Sequence, residues 1–166
     1  RHDRSAVVPR LTAVLDDPDQ PEQAHAQALH TVSKIGAPEV WPSITRDMLT
    51  SENDDVATAA WRAAVEVVPE TERHELAEVL AGQFGRGGRE RRRSLSRVLV
   101  ALGSAGVDAA EKAATVDDQH VVAHARATLR LANDPDAAFD DDVSTALRVL
   151  APGASMEVEE ARSEDR

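Results

Sequence analysis

The feature that most constrains this chain is the regular return of helix-breaking residues. Gly36, Pro69, Gly103 and Asn133 follow one another at steps of 33, 34 and 30 residues. Two helices and two tight turns need about that length. Pro9 and Pro42, also 33 residues apart, stand in matching contexts: Val8-Pro9-Arg10-Leu11-Thr12 and Trp41-Pro42-Ser43-Ile44-Thr45. Between the breaks the apolar spacing is helical. Leu29, Val32 and Ile35 share one face, as do Leu76, Val79 and Leu80, and as do Leu95, Val98, Leu99 and Leu102. No segment sustains period-two alternation, so no strand is expected.

The breaks carry the stop and start chemistry of helix ends. They are Asp16-Asp17-Pro18-Asp19-Gln20-Pro21, Gly36-Ala37-Pro38, Ser51-Glu52-Asn53-Asp54, Pro69, Gly85-Arg86-Gly87-Gly88, Gly103 and Asn133-Asp134-Pro135. Glycine suits the left-handed position after a helix, and Asp, Ser and Pro suit the first turn. The pattern predicts helices over 5–15, 22–35, 38–50, 54–68, 71–84, 88–102, 105–115, 118–132 and 136–150.

Composition narrows what such helices can do together. Aromatics make up 2% of the chain: Trp41, Trp61, Phe84 and Phe139, with no Tyr. Alanine, valine and leucine must therefore fill the core, which requires closely packed helices. The absence of Cys excludes thiolate catalysis, disulfides and Cys-based metal sites. No apolar run is long enough for a membrane span, and no signal peptide is visible at Arg1–Arg4, so a cytoplasmic location is expected.

Residues 7–36 run Val-Val-Pro-Arg-Leu-Thr-Ala-Val-Leu-Asp-Asp-Pro-Asp-Gln-Pro-Glu-Gln-Ala-His-Ala-Gln-Ala-Leu-His-Thr-Val-Ser-Lys-Ile-Gly. This stretch resembles one unit of the HEAT-like repeat proteins, including those of the PBS-lyase type. It has a first helix with an early Pro, an Asp-Pro turn, and an Ala- and Leu-bearing second helix closed by Gly. Residues 40–68, 72–103 and 105–132 look like weaker copies. The resemblance implies an all-α, right-handed α-solenoid of about four antiparallel helix pairs with a C-terminal capping helix. The repeat domain would occupy residues 1–150, and residues 151–166 would form an acidic, disordered tail. HEAT-like units often carry a Val-Arg pair early in the second helix, where the Arg ties neighbouring repeats through a carboxylate. Here Val56-Ala57 and Val122-Ala123 keep the Val and lose the Arg, and Gln23-Ala24 loses both.

Charge singles out one surface. The chain carries a net charge of −11, yet residues 86–97 hold six arginines (Arg86, Arg89, Arg91, Arg92, Arg93 and Arg97) and one acid, Glu90. Guanidinium groups grip carboxylates and phosphates in a forked geometry. Cations at a helix N-terminus oppose the helix dipole, a cost that points to a use. These six residues, with Trp61 as an anchor, form the candidate patch for an acidic protein partner. Pairing of the same arginines with acidic loops of the chain itself is the competing structural reading. Nucleic acid is disfavoured because most of the surface repels phosphate.

Other constellations are weaker. His120 and His124 have the spacing of a metal-binding pair but lack a Glu between them and a third ligand, so no metal is expected. The turn 85–88 lacks the Gly-Lys-Ser/Thr ending of a phosphate loop, and no serine sits in a nucleophile elbow. A non-catalytic interaction or scaffold module with no cofactor is therefore the expected function. The HEAT resemblance also admits a nucleic-acid-binding or base-excision glycosylase-like protein, and a cofactor-chaperone role, as alternatives.

Overall fold

The computed structural model describes residues 4–144. The expected acidic tail at 151–166, and the helix expected at 136–150 beyond Ser144, lie outside them. Regular structure among the described residues is entirely helical. Eight α-helices follow one another: α1 (Arg4–Asp16), α2 (Glu22–Ile35), α3 (Arg46–Leu49), α4 (Asp54–Val67), α5 (Arg73–Ala81), α6 (Arg89–Ala101), α7 (Ser104–Ala113) and α8 (Gln119–Asn133). Short 3₁₀ segments span Pro38–Ser43 and Glu70–Glu72. None of these helices is long and apolar enough to cross a membrane.

The helix starts follow their caps. The Asn53 side chain accepts the Val56 N–H at 3.1 Å, and Asp118 accepts the N–H groups of His120 and Val121. Two expectations fail for local reasons. The segment 38–50 is not one helix, because Pro38 and Pro42 lack donors and Pro42 restricts Trp41. A 3₁₀ turn forms instead, and α3 starts afresh from its Thr45 cap. The expected helix at 136–150 is also absent over 134–142. There Asp134 accepts the Asp136 N–H at 3.1 Å and Asp140 accepts the Asp142 N–H at 3.0 Å. These aspartates draw backbone donors into local turns, so the chain leaves α8 as an irregular strap.

Of the helices adjacent in sequence, α1 packs with α2, α3 with α4, and α7 with both α6 and α8, while α5 and α6 touch only lightly. Among alternate helices, α2 packs on α4, α4 on α6 and α6 on α8, while α5 contacts both α3 and α7. One continuous apolar core runs through these contacts from Leu11 to Ala125. Small side chains make it possible. Ala57, Ala60, Ala63 and Ala64 surround the fully buried Trp61 on α4, whose indole N–H donates to the Leu49 carbonyl at 2.8 Å. Gly106 of α7 lies so close to α6 that an added Cβ would stand 1.8 Å from the Leu99 carbonyl oxygen. No residue but glycine fits at that crossing.

Candidate functional site

The arginine cluster begins in the turn before α6 and continues along its first turns. Helical geometry splits it. Arg91 falls in register with Leu95, Val98 and Leu102, the apolar face, and is buried with them. Its guanidinium bonds Asp54 Oδ1 at 3.1 Å, the Ser51 carbonyl at 2.7 Å and Gln83 Oε1 at 3.1 Å. It also lies 5.1 Å from the centroid of the Trp61 ring. Arg91 therefore clamps α6 to the start of α4 and to the turn after α5. Trp61, with no exposed surface, belongs to the core beneath that clamp. Neither residue can be part of a surface patch, which corrects the expectation for both.

Two further arginines hold the strap that follows α8. Arg89 donates to the Phe139 carbonyl at 3.0 Å and lies 5.6 Å from its ring centroid. Arg92 pairs with Asp141 and donates to the Gly87 carbonyl at 2.6 Å. Acidic loops of the same chain thus occupy half of the cluster, through contacts between residues 37 to 50 positions apart. The side chains of Arg86, Arg93 and Arg97 make no hydrogen bond or ion pair among the described residues. Arg86 is exposed beside Thr50, Glu52 and Asp54, over a hollow of about 240 Å³.

His124 is the hub between turn, helix and strap. Its Nδ1 accepts the Gly85 N–H at 2.9 Å, so the proton sits on Nε2, which donates to the Arg92 carbonyl at 2.7 Å. Phe84 and Phe139 flank the ring edge-on at 4.8 and 5.9 Å. Burial lowers its pKa to about 4, against a raising contribution from the Arg92 carbonyl bond. Gly85 has φ 78°, and a Cβ there would press on the His120 and Val121 backbone at 3.2 Å, so the turn requires glycine. Ser96 Oγ is 3.1 Å from Nε2, but that nitrogen carries a proton and both side chains are fully buried. The pair is a packing network completed by Thr128, 2.7 Å from Ser96 Oγ, and offers no activated nucleophile. His120 stands exposed, apart from His124, and no group of three metal-binding side chains forms among the described residues. Trp41 is half-buried, with its indole N–H on Glu72 at 3.0 Å.

The open arginines mark a different surface. Three hollows lie along α2, α4, α6 and α8. The first, about 530 Å³, lies between α2 and α4 and is lined by Gln27, His30, Ser33, Thr58 and Arg62 among others. The second, about 290 Å³, lies between α4 and α6, over Val65, Val98 and Ala101, with Arg62 and Arg97 on its walls. The third, about 490 Å³, is enclosed by α6, Leu131 of α8 and the strap residues Pro135–Phe139, with Arg93 and Arg97 beside it. Ser33 and Arg62 belong to the first two hollows, and Arg97 to the last two. Arg62 is exposed and, among the described residues, its side chain has no hydrogen bond or ion pair. It stands alone in an Ala-rich helix, so charge clustering missed it. Its signal was positional: Arg97 follows 35 residues later, one repeat step away.

No protein-family description, curated protein or solved structure matches the chain.

Proposed function

We propose that this chain is a non-catalytic, cytoplasmic protein-interaction module, a right-handed α-solenoid of the HEAT type, whose α2, α4, α6 and α8 face receives a partner. One observation carries the reading: three hollows adjoin along these helices and share Ser33, Arg62 and Arg97 as common walls. Repeat solenoids present such extended faces from their second helices. The stacking of alternate helices in chain order, α2 on α4 on α6 on α8 and α3 on α5 on α7, supports the repeat architecture. So does the bond from Arg91, early in α6, to Asp54, at the start of α4. It makes the kind of Arg–carboxylate tie between units that the missing Val-Arg pairs would have supplied.

The chain has no native Cys, so a single photo-crosslinker can be placed at will. Ser94→Cys, on the wall of the second hollow, and Val116→Cys, exposed and away from all three, form the test pair. In extract of the source cells, the Ser94 probe is expected to capture a discrete protein that the Val116 probe does not. Identical adducts from both sites, or none from Ser94, would count against the reading.

A further inference from the structure

We infer that the occupant of this face is an acidic, extended peptide segment of a partner protein, its carboxylates held by Arg62, Arg97 and Arg93. The inference rests on the interaction reading above and adds its chemistry. Three features support it.

The first is unspent charge. In a chain of net −11, Arg89, Arg91 and Arg92 have been drawn into internal bonds, yet the side chains of Arg62, Arg93 and Arg97 have none among the described residues. They line adjoining hollows rather than scattering over the surface. Such a row attracts carboxylates without first breaking an internal pair.

The second is spacing. Arg93 and Arg97 are one helical turn apart, a rise of about 6 Å. Alternate residues of an extended peptide project to the same side at about 6.6 Å. Carboxylates at positions i and i+2 therefore match the two guanidinium groups.

The third is the floor. Val65, Val98, Val100 and Leu131 line the second and third hollows and offer seats for an apolar side chain between the acids. Nucleic acid fits this floor less well. Glu66 and Asp136 stand in the same hollows; a peptide can space its acids clear of them, whereas a phosphate chain carries a charge at every unit. The lining of the three hollows includes no Trp, and its one Phe, Phe139, is buried and faced by Arg89, so beyond the imidazole of His30 it offers no open ring for base stacking.

The probe is a fluorescein-labelled ten-residue peptide with Glu at alternate positions and one central Leu, titrated into the full chain at low salt. The peptide is expected to bind and its Gln-for-Glu counterpart to fail. The double variant Arg62→Glu/Arg97→Glu should weaken binding at least about tenfold while thermal unfolding stays unchanged. Arg86→Glu, an exposed arginine outside the three hollows, should change it less than about twofold. Equal losses from Arg86→Glu and the double variant would reduce the effect to general attraction and overturn the inference. Equal competition by a ten-residue oligothymidine would also overturn it, in favour of nucleic acid. Replacing Glu157, Glu159 and Glu160 by Gln in the full chain tests the third occupant. A tenfold gain in peptide affinity would mean that the chain's own terminus fills the face, against a partner in trans. If the peptide fails to bind while the Ser94 probe still captures its protein, the acidic chemistry falls and the interaction reading stands. If both fail, both fall.

Discussion

The two sides of α6 carry the same residue type and do opposite things with it. On the inner side Arg91 is bonded on all sides, and Arg92 beside it pairs with the strap after α8. On the outer side Arg89, Arg93 and Arg97 fall in register at successive turns: Arg89 also fastens the strap, while the side chains of Arg93 and Arg97 face hollows with no partner among the described residues. A helix turns about 100° per residue, so a run of arginines must divide between such environments. Charge density in a sequence therefore marks a helix as basic but does not say which of its cations are available. Availability depends on which acids, tens of residues away, come to rest beside them.

The inner side should break most sharply at its tightest contact. Gly106→Ala puts a methyl group against the Leu99 carbonyl of α6, which only a shift of the helix backbone can relieve. A loss of at least about 3 kcal/mol is expected in urea unfolding. A half-buried change on the outer side, Ser94→Ala, should stay within about 0.5 kcal/mol.

A smaller effect comes from pH, and it separates the sides because only the inner one contains His124. Its folded pKa, about 4, lies below the ordinary value of 6.5, so between these values the unfolded chain binds more protons than the folded one. Stability from this group is fully present above pH 6.5 and is lost as pH falls toward 4, by up to about 3 kcal/mol. The acids of the chain titrate nearby, so the test is a difference. Stability curves of the native chain and of His124→Gln should converge as pH drops from 7 to 4. Parallel curves would mean that His124 titrates as if it were exposed.

How much of this was legible in the sequence follows from the range of each interaction. The ends of α2, α4 and α8 were legible because their caps are local: Gly36, Asn53 and Asp118 act within three or four residues. The segments 38–50 and 134–142 misled because locally competing donors and prolines outweighed their apolar spacing. The burial of Arg91 was readable in principle, since it lies four and seven residues before Leu95 and Val98. Its cluster of like charges hid that register. Its partners Asp54 and Ser51 were not readable, being 37 and 40 residues distant. Arg62 belongs to the site through packing of α4 on α6, and no local signal in α4 announces it.

The division of α6 is tested most directly by thermal unfolding of Arg91→Gln beside Arg97→Gln. Removing Arg91 leaves Gln83 and the Ser51 carbonyl short of a donor; with its exposed partner Asp54 screened by water, the expected loss is about 2–3 kcal/mol. For a chain of this size that lowers Tm by roughly 4–12 °C. Arg97→Gln should leave Tm within about 2 °C of the native chain. Equal shifts for the two variants would contradict the division of α6 into an inner structural side and an open binding side.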